Sequence, residues 1–273
     1  MYREFFGLAR KPFAKTPDPE FLFPSRQHAE ALARLSHALE EREIAVLTGD
    51  VGAGKTTLSR ALVDGFADRC RFSFVVNPAL PPAQLLGAIA DGFGLPRTRR
   101  KADAFAALAE RAARLDAEGL FAVVVVDEAQ LLPARGFDEL RLLTNVAADD
   151  RALVGLVLLG QPELRGRLHE RGGEAFAQRV GVAYHLGPLD RGETGRYLAH
   201  RLAVAGRSEP LFDDGAVEAV HRHSAGLPRR VNQVAAGALL EGFAREASGI
   251  SADVVDAAAA DLAAYLGSTR RPG

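Results

Sequence analysis

An α/β fold, a parallel five-stranded sheet with flanking helices followed by an all-helical C-terminal domain, is predicted by three observations. Short apolar strand-like runs alternate with helical segments as far as Pro188. A glycine-rich loop stands between the first of those runs and the helix after it. Beyond Pro188 the strand runs stop and only helical periodicity continues.

Residues 1–25 combine Phe5, Phe6, Phe13, Phe21 and Phe23 with Pro12, Pro17, Pro19 and Pro24. Proline limits helix and favours extended, turning backbone, so this stretch reads as an ordered strap packing its aromatics onto the body. Ser25 can cap a helix over 25–42, with Ala29, Leu32, Leu35 and Leu39 at helical spacing. Strands are read over 44–47, 72–76, 121–126, 154–159 and 182–186, and helices over 55–67, 83–93 and 102–118. Between the last two helices lies the basic segment Arg97, Arg99, Arg100, Lys101, either a solvated loop or a contact for DNA or a partner. Helices follow over 191–205, 213–224, 228–245 and 251–265, with Asp213 and Ser251 as N-caps and Gly206 and Gly226 at helix ends. The resulting partition is an α/β core with its strap over 1–188, a helical domain over 189–267 and a tail over 268–273.

Composition excludes some classes. The 273 residues suffice for one larger and one smaller domain, and 48% hydrophobic with 25% charged residues is the globular range. A formal net charge of −1 gives no bulk basicity for nucleic acid, while leaving room for a local basic patch. Cys70 is the single cysteine, so no intramolecular disulfide forms, which suits a reducing compartment. The N-terminus has charges and Pro12 where a signal peptide needs an apolar core. The apolar runs 121–126 and 153–159 are far shorter than the roughly 20 residues of a spanning helix. A soluble, cytoplasmic chain without a membrane span is expected.

Gly49-Asp50-Val51-Gly52-Ala53-Gly54-Lys55-Thr56 fits G-x-x-x-x-G-K-[ST] at every fixed position, and Thr57 follows. Glycines let the backbone turn its N–H groups inward onto phosphate oxygens, and the next helix adds the positive end of its dipole. Lys55 supplies a cation for the β- and γ-phosphates of ATP, and Thr56 a hydroxyl for Mg²⁺. The second half is Val123-Val124-Val125-Val126-Asp127-Glu128-Ala129-Gln130, a buried strand ending in two carboxylates. Beside a phosphate loop, one acid holds Mg²⁺ and its neighbour polarises water, which makes Asp127 the metal-side candidate and Glu128 the general base.

These stretches, with a helical C-terminal domain, resemble the AAA+ ATPases. More narrowly, the chain resembles the ExeA/GspA (general secretion pathway protein A) group. The residues that carry this are Phe5-Phe6-Gly7-Leu8, Pro12-Phe13, Thr16-Pro17-Asp18-Pro19, Phe21-Leu22-Phe23, His28-Ala29-Glu30-Ala31-Leu32, Gly54-Lys55-Thr56-Thr57 and Asp127-Glu128-Ala129-Gln130. Leu159-Gly160-Gln161-Pro162-Glu163-Leu164, Gln178-Arg179 and Gly226-Leu227-Pro228-Arg229 complete the set, so that it spans 2–245.

The resemblance implies further roles. Gln161, just past the fourth strand, corresponds to sensor 1, unless it is an ordinary loop amide. Arg229 at the start of a lid helix corresponds to sensor 2, with Arg230 beside it as the alternative. Arg179, just before the fifth strand, corresponds to an arginine finger completing a neighbour's site in trans, which implies a homo-oligomer; the alternative is a surface arginine. Pro12-Phe13 and Phe23 either line an adenine pocket or simply pack. ATP·Mg²⁺ is expected between core and lid. The group acts with a membrane partner in assembling envelope machinery, so the chain is expected to be recruited to the inner membrane through an envelope-assembly protein. Many members carry a membrane helix and a peptidoglycan-binding domain after the ATPase; neither is present in this sequence, and the envelope half is expected to be missing or supplied otherwise. The competing readings are a DNA-associated ATPase of the TniB/TnsC transposition type, against which the net charge argues, and a slow-turnover nucleotide-dependent scaffold.

Overall fold

The computed structural model describes residues 1–14, 19–98, 100–148, 151–170 and 172–267. Thr16, Pro17, Asp18, Arg99 and the tail 268–273 lie outside the described residues. In chain order the elements are α1 (Tyr2–Phe5), α2 (Arg26–Glu40), β1 (Ile44–Gly49), α3 (Lys55–Phe66), β2 (Cys70–Val75), α4 (Pro82–Gly92), α5 (Lys101–Ala117) and β3 (Phe121–Val126). They continue with α6 (Ala134–Leu143), the two-residue strands β4 (Ala147–Ala148) and β5 (Arg151–Ala152), β6 (Val154–Gly160), α7 (Glu163–His169), α8 (Glu174–Ala177) and β7 (Val180–Leu186). Four helices close the chain: α9 (Arg191–Val204), α10 (Asp214–Ser224), α11 (Pro228–Ala244) and α12 (Ala252–Gly267).

The chain divides into two units: residues 27–51 with 55–186, and residues 1–26 and 52–54 with 187–273. The first is the expected α/β layer structure. Its sheet has the order β2-β3-β6-β1-β7, parallel throughout. β1, β3 and β6 are buried at every position, which is why their sequences are unbroken apolar runs rather than alternating ones. Leu85, Ile89, Leu108, Leu115 and Phe137 from the surrounding helices fill the core against Val124, Leu156 and Leu158. Helices α6, α7 and α8 were not expected. α6 starts behind Pro133 and has Gly136 in its first turn, while α7 and α8 are only 7 and 4 residues long, too short to display a period.

The second unit is helical, and its helix ends follow local chemistry. The Asp213 carboxylate accepts from the Ala216 amide at 2.6 Å and caps α10. Asp190 and Glu193 form a capping box that starts α9. Ser251 stands before α12, and its hydroxyl donates to the Asp253 carboxylate.

One part of the partition differs from the sequence reading, which joined the strap to the α/β core over 1–188. Phe6, Leu8, Phe13 and Phe21 instead share one core with Leu198, Leu202, Phe212, Val231 and Leu239 of the helical unit. Polar contacts fix the same register. The buried Arg201 donates to the Pro12 carbonyl (2.5 Å) and the Tyr197 hydroxyl (2.9 Å), and its guanidinium lies 4.7 Å from the Phe21 ring centroid. The strap has apolar rings but too little length for a core of its own, so it is stable only where another element buries them. Phe13 against Phe212 and Phe23 against Tyr197 are edge-on ring pairs. Phe6 is 1% exposed, and Phe6→Ala should lower unfolding free energy by about 3–5 kcal/mol. Urea unfolding followed by circular dichroism checks this, and a loss below about 1 kcal/mol would show that the strap does not belong to this core.

Candidate functional site

In a parallel sheet the C-terminal ends of neighbouring strands share one edge, and ligands of such folds bind there. Here the loop 49–56 leaves β1, Asp127 and Glu128 leave β3, and Gln161 leaves β6, the strand between those two. The register pairs Thr48 with Gly160 and Val126 with Leu158, so Gln161 emerges beside both.

The loop has the backbone its motif requires. Gly52 and Gly54 have φ of +88° and +108°, a region that L side chains rarely adopt. Gly52 is also constrained by space. A Cβ there would lie 2.6 Å from Cβ of Arg229, whose amide donates to the Gly52 carbonyl at 3.3 Å. Lys55, 7% exposed, donates from Nζ to the carbonyls of Gly49 (2.6 Å) and Asp50 (3.1 Å). The cation is thereby folded back along the loop at the start of α3, where the helix dipole also favours an anion. Ala53 is fully buried, Asp50 and Val51 are exposed, and Thr57 is half-buried on the first turn of α3.

Thr56 and Asp127 come together, with Oγ1 to Oδ2 at 3.5 Å. Two hard oxygens at this spacing suit Mg²⁺, which in phosphate sites takes few protein ligands and completes its shell with phosphate and water. Among the described residues no group of three or more His, Cys, Asp or Glu gathers to hold a metal by protein ligands alone. Cys70 is buried on β2, and burial pushes its thiol pKa up, so it presents no thiolate nucleophile.

Glu128 follows Asp127 in the left-handed region at φ +51°, a conformation that costs about 1–3 kcal/mol for a non-glycine residue and concentrates at functional sites. Its amide donates to Asp127 Oδ1 at 2.8 Å. Its Oε2 accepts from Gln130 Nε2 at 2.6 Å and from Gln161 Nε2 at 3.1 Å. The Gln161 amide in turn donates to Gln130 Oε1 at 3.0 Å. Gln161 is therefore brought to Glu128. Gln130 joins the site through this contact, and in the sequence only its two-residue offset from Glu128 signals it.

The remaining candidates lie elsewhere. Arg179 is exposed immediately before β7, where its guanidinium donates to Thr144 (3.4 Å) and Asn145 of the same chain. Arg229 and Arg230 are exposed at the start of α11. In the basic segment, Arg97 pairs with Asp91 at 2.8 Å and Lys101 with Glu139, so these two cations are already matched by carboxylates. No helix among the described residues is long and apolar enough to cross a membrane.

Comparison with known proteins bears on the fold. A family model described as an AAA domain matches residues 37–168, which hold the loop, Asp127, Glu128 and Gln161. The Aeropyrum pernix ORC2 protein, solved as ADPNP–ADP complexes, is 22% identical with a TM-score of 0.69, over 92% of this chain and 71% of that one. Drosophila ORC bound to DNA is 19% identical with a TM-score of 0.70, over 97% of this chain and 68% of that one. At such identity the likeness is one of fold. The fold is that of P-loop AAA+ proteins.

Within that class the chain resembles general secretion pathway protein A. The Aeromonas hydrophila protein of that name is 40% identical over 251 residues, 90% of this chain. Those residues are 45% of the Aeromonas protein, so the chain spans less than half the length of that relative.

Replacing Gly52 by Ala should act through both its φ and the Arg229 contact. A loss of about 1–3 kcal/mol in unfolding free energy is expected, with weaker binding of a fluorescent ATP analogue. Unfolding and titration curves that overlay those of the unsubstituted chain would mean that the loop tolerates a side chain there.

Proposed function

We propose that this chain binds ATP with Mg²⁺ and hydrolyses it, and that the change drives an envelope-assembly partner. The observation that carries the hydrolytic reading is the convergence at one sheet edge of a cation-bearing loop, the Thr56–Asp127 oxygen pair and the Glu128 carboxylate. The loop amides and Lys55 receive the β- and γ-phosphates. Thr56 and Asp127 hold Mg²⁺, which when bound neutralises charge on the phosphate oxygens. Glu128 takes the proton of the attacking water, and Gln161 orients that water relative to the γ-phosphate. Arg229 reports nucleotide state to the helical unit. Arg179 serves a neighbouring subunit, for which its guanidinium must leave Thr144 and Asn145.

The envelope partner is supported by the identity with general secretion pathway protein A. The same work on a DNA partner has less support: net charge is −1, and Arg97 and Lys101 are paired within the chain. Binding of duplex DNA at low salt with ATP present would reverse this preference, whereas co-purification with an inner-membrane assembly protein from detergent extracts would support it.

Glu128→Gln should retain ATP while turnover falls roughly 10²–10⁴-fold, the usual contribution of a general base. Unchanged phosphate release would remove Glu128 from that role. Arg179→Ala should lose turnover with nucleotide affinity intact. Mixing it with Lys55→Ala protein should restore activity, since each supplies what the other lacks; no recovery would count against completion in trans.

A further inference from the structure

Gln130 closes a ring with Glu128 and Gln161, and the chemistry of that ring permits only one orientation of its carboxamide. The Gln161 backbone N–H can only donate, so the group facing it at 3.0 Å is the Gln130 carbonyl oxygen. The Gln130 NH₂ group then faces Glu128 Oε2 at 2.6 Å, where an ionised carboxylate can only accept. Rotating the amide by half a turn would set oxygen against carboxylate and NH₂ against N–H, losing both bonds. An Asn is one carbon shorter, and a Glu would bring a second carboxylate against Glu128.

The surroundings are built to keep this residue in place. Arg167 of α7 donates to the Gln130 carbonyl (3.1 Å) and the Leu132 carbonyl (2.7 Å), which fixes the turn that carries it. Gly160 leaves the space: a Cβ there would lie 3.2 Å from Gln130 Oε1 and 2.6 Å from Leu164 Cδ2. Glu128 itself leaves β3 through a left-handed residue, so an ordinary strand end does not set the direction of its carboxylate.

We infer that Gln130 is a positioning residue for ATP hydrolysis, holding the Glu128 carboxylate in register with the turn that carries Gln161. This rests on Glu128 acting as the base. Two N–H donors on the same oxygen, one from Gln130 and one from Gln161, fix the plane of the carboxylate and hence the line along which it meets water. A movement of Gln161 reaches Glu128 by both routes.

The test is steady-state ATP turnover for the full chain, Gln130→Met, Gln130→Glu and Glu128→Gln, each checked for binding of a fluorescent ATP analogue. Both Gln130 variants should bind the analogue normally and keep KM, while kcat drops roughly 10–100-fold, the scale of losing an outer-shell orienting partner. Gln130→Glu should lose at least as much, because it sets an acceptor where Gln130 donates to Glu128. A purely structural role would lower stability while leaving kcat and KM of the folded protein unchanged. Turnover matching the unsubstituted chain in both variants would overturn the inference. If Gln130→Met fails to fold, Gln130→Glu decides, and an unchanged kcat overturns it. Full turnover in Glu128→Gln, or none in the unsubstituted chain, would overturn the hydrolytic reading instead.

Discussion

β1 is hydrogen-bonded along both edges, to β6 and to β7, and every residue of it is buried. A strand held this way cannot slide or tilt without breaking two ladders and exposing apolar surface on both faces. The chain therefore leaves Gly49 at a fixed point and in a fixed direction, and the loop to Lys55 must reverse it within a few residues to start α3. That constraint makes the positive-φ glycines necessary and turns the Lys55 side chain back along the loop. The other strands inherit the reference. Because the sheet is parallel, β6 and β3 deliver Gln161 and the Asp127–Glu128 pair to the edge that β1 has set.

Precision at that edge comes from small residues and obligate polar pairs. Gly160 ends β6 without a side chain, which lets Leu164 and Gln130 approach the strand end. Asp127 accepts the Glu128 amide and stands near Thr56, so one carboxylate both braces the turn and faces the loop. Glu128 stays in a costly backbone region because its neighbours over-determine it: its amide is held by Asp127 and its carboxylate by two carboxamides. Glu128, Gln130 and Gln161 are half-buried, and the two bonds to the Glu128 carboxylate are stronger than neutral ones because the acceptor is charged.

The helical unit obeys a different economy. Its helices bring a core of Leu, Val and Ala, and the strap adds Phe6, Phe13 and Phe21 as the large side chains that complete it. Arg201 is buried there as a connector rather than a binding group. Its stem packs, its head lies over Phe21, and its N–H groups go to the Pro12 carbonyl and the Tyr197 hydroxyl. The aromatic strap thus has an architectural task within this unit.

Much of the candidate site was legible in the residues because its parts are local. The loop 49–56 carries its geometry in consecutive glycines, a lysine and a threonine, and the apolar run ending at Asp127 and Glu128 marks a buried strand by its lack of alternation. The same locality located the five main strands and the Asp213 cap. What the residues alone could not decide is which ends meet. That Gln161 reaches Glu128 depends on β6 lying between β3 and β1, a choice made by long-range packing that leaves no trace in spacing. The strap's phenylalanines announced burial without naming the surface, since hydrophobic attraction is non-directional, and only the folded chain assigns them to the helical unit. Gln130 was visible throughout as the fourth letter of a motif. Its orientation, and therefore its task, arose only when the Gln161 amide arrived from a distant part of the chain and left its carboxamide a single way to face.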